Sequence, residues 1–187
     1  MTRCSECILD SHTRTIVRRN SRAMFYAAYG SNLHPRRLTE RISSAQLVTT
    51  AFVPNWSLHF HKRSKDGSGK CNILSGGDGI HVAIFKISAT DKFVLDRIEG
   101  LGVGYSETLL SVPDIGDCVS YVAEQSHIDV SLVPYDWYKE LVLTGARFHS
   151  FPGRYLDWIR LAPSHQDPDL DRRVDKWRTV KLVKSGT

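Results

Sequence analysis

Apolar residues alternate or cluster in short runs along the first two-thirds of the chain, and turn-forming residues separate the runs. Met24 to Tyr29, Leu47 to Val53, Trp56 to His61, Ile80 to Ile87, Tyr105 to Val112 and Cys118 to Glu124 read as strands. Pro54, the clusters KDGSGK and SGGDG, and the segment PDIGD stand between them as turns. Helical spacing intrudes at four places. In LHPRRLTERI, Pro35 sits where a first helical turn tolerates proline, and Leu38 and Ile42 share a face. In SATDKFVLDRIEG, Ser88 and Asp91 form a capping pattern, Val94, Leu95 and Ile98 make an apolar stripe, and Gly100 marks the stop. Pro134 opens PYDWYKELVLTGA, where Tyr138, Leu141, Val142 and Gly145 recur at helical spacing; Pro152 opens FPGRYLDWIRL, with Tyr155 and Ile159. Strands dominate early and helices are interspersed without strict βαβ alternation. The pattern predicts an α+β fold whose sheet is mostly antiparallel or mixed, with closure on itself as one option.

With 187 residues, the chain suits one domain with short tails. Hydrophobic residues at 41% and charged residues at 24% are ordinary for a globular protein and exclude collagen-like or disordered classes. No apolar run approaches the roughly 20 residues of a membrane-spanning helix, so no membrane partner is expected. The net charge is +5, and its placement decides what it means. Residues 1 to 22 carry five Arg against Glu6 and Asp10, and residues 166 to 187 carry six Lys or Arg against four Asp. Residues 23 to 165 hold fourteen basic and fourteen acidic side chains. The division expected is therefore a basic N-terminal tail (1–22), a neutral domain (23–165) and a charged C-terminal tail (166–187). The domain lacks the electrostatic footprint of a nucleic-acid binder. Cys4, Cys7, Cys71 and Cys118 make no dense disulfide framework and no secretory segment precedes them, which points to a reducing cytoplasm. Cys4 and Cys7 form a C-x-x-C followed by His12, but without a second ligand pair no metal site is expected.

Two places could carry chemistry. In AAYGSNL, Ala27 and Ala28 leave little side chain above the backbone, and Gly30 allows a conformation or a close approach denied to other residues. The main-chain N–H groups of Gly30, Ser31 and Asn32 could then hold a carboxylate or a developing oxyanion, or the segment could be a plain turn with Asn32 as a helix cap. Glu99, last before Gly100, opposes the helix dipole where Lys or Arg is favoured. It is either a solvated surface carboxylate or, in an apolar cleft, an acid/base whose pKa burial and the helix C-terminus would raise. His59 and His61 alternate on one strand face without a third ligand at fixed spacing, and suit packing better than metal. Ser31 lacks a G-x-S-x-G context, and the SGGDG glycines lack the lysine of a P-loop.

YGSNL, LDRIEG followed by GY, YKELVLTGA and FPGRYLDWI occur in an order that resembles the gamma-glutamylcyclotransferases, over about Met24 to Leu161. The TGA followed by an aromatic-Pro-x-x-Tyr helix looks more like the gamma-glutamyl-amino-acid branch than the glutathione-specific branch of glutathione metabolism. The resemblance implies a small closed mixed β-barrel flanked by helices, and a reaction that releases 5-oxoproline from a small gamma-glutamyl substrate with no cofactor. It makes Glu99 the catalytic acid/base and Tyr26, Ala27, Ala28, Tyr29, Gly30, Ser31, Asn32 and Leu33 the substrate-binding loop. Tyr105 and Tyr138 match active-site tyrosines. The Glu99-to-Tyr105 interval is one residue shorter than usual in that family, and Phe151 stands where Leu is usual. Alternatives are a cyclotransferase for gamma-glutamyl amines or metabolite conjugates and a non-catalytic binding module of the same fold. The expected partner is the small molecule alone, with a homodimer as one option for assembly.

Overall fold

Strand formation follows the alternating pattern, and a computed structural model describes residues 23–185. The N-terminal tail, with Cys4, Cys7 and His12, lies outside them. The elements in order are β1 (Met24–Ala28), α1 (Pro35–Thr39), β2 (Gln46–Val53), β3 (Trp56–Arg63), β4 (Gly69–Ser75), β5 (Ile80–Ile87) and α2 (Ala89–Glu99), then β6 (Tyr105–Val112), β7 (Gly116–Ala123), α3 (Asp136–Phe148), α4 (Gly153–Leu161) and α5 (Leu170–Lys184).

Five strands form one sheet in the order β2-β5-β1-β7-β6, and β3 and β4 form a separate ribbon. β1 is central. It pairs antiparallel with β5 from Met24↔Ile87 to Ala28↔Ala83 and parallel with β7 at Tyr26↔Val119. A central strand has neighbours on both edges, and Ala27 and Ala28 are wholly buried there. The small side chains let the sheet pack closely beneath the loop that follows.

The α+β class and the mixed sheet agree with expectation. Closure into a barrel does not: the edge strands β2 and β6 share no ladder, and β3–β4 stays apart. The register of that ribbon shifts between His59 and Lys62, and a side chain ties it to the sheet instead of a ladder, since Ala123 N–H donates to Asn72 Oδ1 at 2.7 Å. β4 falls between the two glycine clusters, where the sequence shows only turns. The charged segment 166–187, expected as a tail, carries α5, whose Val180 and Val183 are fully buried. The wholly buried Asp167 fixes its start by accepting from Arg172 and from Trp137 Nε1 of α3. No helix among the described residues is long and apolar enough to cross a membrane.

Candidate active site

Glu99 owes its position to α2. Ser88 caps the helix by accepting from Asp91 N–H, and Gly100 ends it in the left-handed region at φ 72°. Gly100 N–H bonds Arg97 O and Leu101 N–H bonds Asp96 O, the paired bonds of a Schellman turn. One turn before Glu99, Asp96 accepts from Lys92 and from the Tyr121 hydroxyl of β7, while Lys92 also reaches Glu107 of β6. These ties lock the last turn of the helix to the sheet and aim Glu99 inward.

The second part is the loop after β1. Leu33 N–H closes a turn on Gly30 O at 3.0 Å, and the N–H groups of Gly30, Ser31 and Asn32 have no hydrogen-bond acceptor among the described residues. The cap of α1 is His34, whose Nδ1 accepts from Arg36 N–H. Asn32 is thereby free for another task. Its Nδ2 donates to Glu99 Oε1 at 2.8 Å, with the Tyr26 hydroxyl at 3.3 Å as a weaker acceptor, and its Oδ1 accepts from Arg41 Nη1. Gly30 has no positive φ; its role is close approach, because a Cβ there would stand 3.0 Å from Cys71 Cβ and 3.6 Å from the Tyr138 hydroxyl. From the other side α3 clamps the loop. A Cβ at Gly145 would fall 2.5 Å from Leu33 Cβ, and His149 Nε2 lies 2.8 Å from Leu33 O.

These pieces surround a small pocket, about 310 Å³ when the open space at its mouth is counted. Of the residues singled out in the sequence, Tyr26, Tyr29, Gly30, Ser31 and Asn32 line it from the loop side, and Glu99, Tyr105 and Tyr138 from the other. Despite its shortened interval from Glu99, Tyr105 reaches the site. Ala27, Ala28 and Leu33 do not line it; they are buried beneath as support. Cys71 and Tyr121 line it too, and neither is singled out by the sequence. Cys71 anchors two tyrosines through its main chain, accepting from the Tyr105 hydroxyl and donating to the Tyr138 hydroxyl. Its thiol is inert, since burial pushes its pKa up to about 12. Arg37, Arg41 and Lys62 around the mouth are also unforeseen; the i, i+4 spacing of the two arginines is the one local hint.

Burial raises the pKa of Glu99, against the opposing pull of Arg41, the Asn32 hydrogen bond, Lys62 and Arg37. Burial is the raising influence here, and the helix carbonyls expected to share in it are capped by the Schellman turn. Glu99 Oε2 has no hydrogen-bond partner among the described residues. A carboxylate with one oxygen held and the other open can take up and return a proton. His59 and His61 have ordinary partners, Ser57 Oγ and Asn72 Nδ2, and stack on one another. Among the described residues no group of His, Cys, Asp and Glu has the arrangement of a metal site.

Such a fold, with a carboxylate and the residues of an unspent main-chain loop lining one pocket, defines a site for a small polar molecule. No protein-family model matches the chain. Gamma-glutamyl cyclotransferase aclK of Aspergillus oryzae is 30% identical over 186 aligned positions, which span 85% of this chain and 67% of that protein. The chain belongs to the gamma-glutamyl cyclotransferase family. Two solved structures share its fold: a gamma-glutamyl cyclotransferase (TM-score 0.74, 23% identity, 86% of this chain and 99% of that one) and an uncharacterized protein of Homo sapiens (0.70, 22%, 85% and 98%).

Proposed function

We propose that the protein is a gamma-glutamyl cyclotransferase that releases 5-oxoproline and a free amine or amino acid from a gamma-glutamyl compound, with Glu99 as acid/base. In such a substrate the α-amine and the γ-carbonyl belong to one molecule, so a folded conformer places nucleophile and electrophile together. Glu99 Oε2 takes a proton from the α-ammonium. The freed nitrogen lone pair attacks the γ-carbonyl carbon, and negative charge builds on its oxygen. As the carbonyl re-forms, the bond to the leaving nitrogen breaks and Glu99 returns the proton to that nitrogen; the ring nitrogen's second proton then passes through Glu99 to the departing amine, which leaves as an ammonium. The proton count balances, and no outside reagent is consumed.

The observation that carries this reading is Glu99, fixed by Asn32 on one oxygen, in a pocket also lined by Gly30, Ser31 and Asn32, whose N–H groups are unspent among the described residues. Those donors serve the developing oxyanion or the substrate α-carboxylate, and one well-placed donor is typically worth about 3 to 4 kcal/mol to an oxyanion. Tyr26, Tyr29, Tyr105 and Tyr138 wall the pocket and hold the glutamyl chain folded. The raised pKa of Glu99 suits a group that must both accept and give a proton. In keeping with a reducing cytoplasm, Cys71 and Cys118 are buried free thiols. The test is a panel of gamma-glutamyl amino acids and gamma-glutamyl amines with 5-oxoproline measured by mass spectrometry. Release from at least one of them is expected; none from any would overturn the reading.

A further inference from the structure

Asn32 touches Glu99 with one end of its amide and Arg41 with the other. Nδ2 donates to Glu99 Oε1 at 2.8 Å, and Oδ1 accepts from Arg41 Nη1 at 3.2 Å. The amide is buried, and its partners decide which of its two orientations, related by a half-turn, is held. The Tyr26 hydroxyl, 3.3 Å from Nδ2, both donates and accepts and so does not choose. Glu99 chooses only while it is ionised, because a carboxylate accepts and a carboxyl group also donates. Arg41 differs in kind. A guanidinium donates only and never gives up its proton, so it demands the amide oxygen whatever the state of Glu99.

The fold holds Arg41 at that post. It lies just beyond α1, where Arg41 N–H and Ile42 N–H both bond Leu38 O and the side chains of Leu38 and Ile42 are wholly buried. Its bond to Asn32 spans nine residues and ties the loop after β1 to the turn after α1. It forms no salt bridge among the described residues, although it lines the recess that Ser31 and Glu99 also line.

The orientation matters because Glu99 is neutral between taking up its proton and returning it. With Nδ2 against Oε1, that oxygen must accept, so the proton sits on Oε2, which has no partner among the described residues. With the amide turned over, Oδ1 would accept from a protonated Oε1 and strand the proton on the wrong oxygen. We propose that Arg41 is a positioning residue, which holds the Asn32 amide in one orientation and so keeps the proton of neutral Glu99 on Oε2, where the departing amine takes it. This rests on the cyclotransferase reading of the site and adds a residue to it.

The test is a double-mutant cycle of Arg41→Met and Asn32→Ala, with Arg41→Lys as the conservative variant, read as kcat and KM for 5-oxoproline release against pH. The Arg41 charge also holds the Glu99 pKa down, as do Lys62 and Arg37, which stay in every variant. Losing that charge moves the acid limb to higher pH and leaves the plateau alone, so the plateau kcat reports orientation. Arg41→Met is expected to lower the plateau kcat by about tenfold or more, the size of one lost hydrogen bond to a charged group, with a smaller change in KM. Arg41→Lys should recover most of that loss. With Asn32→Ala already present, Arg41→Met should cost less than about twofold, since residues acting through one bond are not additive. Arg41→Gln, neutral and too short to reach Asn32, takes its place if Arg41→Met does not fold. Additive losses, or a plateau kcat near that of the wild type, would overturn the inference. A second measurement needs no turnover: hydrogen exchange of the Asn32 side-chain amide, followed by NMR at a pH below the Glu99 titration. Arg41→Met should exchange these protons at least about tenfold faster than wild type or Arg41→Lys. That result without any 5-oxoproline release by the wild type supports the positioning role while the cyclotransferase reading fails by itself. Equal exchange would overturn the role whatever the turnover.

Discussion

Gly145 is the position where fold and site are joined most tightly, and replacing it by Ala puts that junction under load. The added Cβ would stand 2.5 Å from Leu33 Cβ and 2.9 Å from His34 N, where carbon atoms normally settle at about 3.5 to 4.0 Å. In an unencumbered helix interior the same change would stabilise by about 1 kcal/mol. Here the neighbours are the main chain of the loop and a fully buried Leu33, which cannot swing aside, so an overpacking cost of about 2 to 3 kcal/mol, the upper part of the usual range, applies. The expected net loss is about 1 to 2 kcal/mol, or a fall in Tm of roughly 2 to 8 °C for a chain of this size. Moving the loop by even part of an ångström also displaces the N–H groups of Gly30 to Asn32, and kcat/KM for 5-oxoproline release should fall by about tenfold to a hundredfold. Thermal unfolding and steady-state kinetics on one preparation read both effects. Gly153→Ala is the control, since a Cβ there meets nothing within 4 Å. If Gly145→Ala matched the wild type in Tm and kcat/KM, the packing of α3 against the loop would not be what positions the donors.

Two further changes test the electrostatics. Asn32→Ala removes a hydrogen bond that lowers the Glu99 pKa, so that pKa should rise further; because the base form is the carboxylate, the acid limb of the kcat/KM profile should move to higher pH. A profile unmoved, or moved to lower pH, would contradict that role. For Asp167, burial is outweighed by hydrogen bonds from Arg172, Trp137 and the Asp169 N–H, and the carboxyl is held down at about 2. A depressed folded pKa gives stability that is present above the unfolded value near 3.9 and lost as pH falls toward 2. Asp167→Asn should therefore cost about 2 kcal/mol in chemical unfolding at pH 7, with the gap to wild type closing near pH 2; a gap unchanged with pH would show that the charge is not what holds the start of α5.

Local rules made part of this protein legible. Ser88 and Gly100 bound α2 as their types demand, and Glu99 stood out because an acid is misplaced in a last helical turn. β4 was hidden because its apolar residues are few and lie between glycine clusters, so that its ribbon partner β3, and not its own pattern, makes it a strand. α5 read as a tail because its charges mask the two valines that dock. Asn32 read either as a helix cap or as part of the substrate-binding loop; its hydrogen bond to Glu99, across 67 residues, has no trace in local spacing. Barrel closure came from the family resemblance and failed because ladder bonds between edge strands depend on register that no single segment encodes. Arg41 became meaningful only when the fold brought its guanidinium to the Asn32 amide.

The central claim is that Glu99 moves the protons of an internal cyclisation. The most direct measurement is 5-oxoproline release by wild type and Glu99→Gln from the best gamma-glutamyl substrate, with binding of that substrate to the variant measured in parallel. Glutamine keeps the size and the hydrogen-bonding oxygen but cannot accept the ammonium proton. The account predicts that binding persists within a few fold while release falls by at least about a hundredfold, as for loss of a general acid–base. Release near the wild-type rate would contradict it.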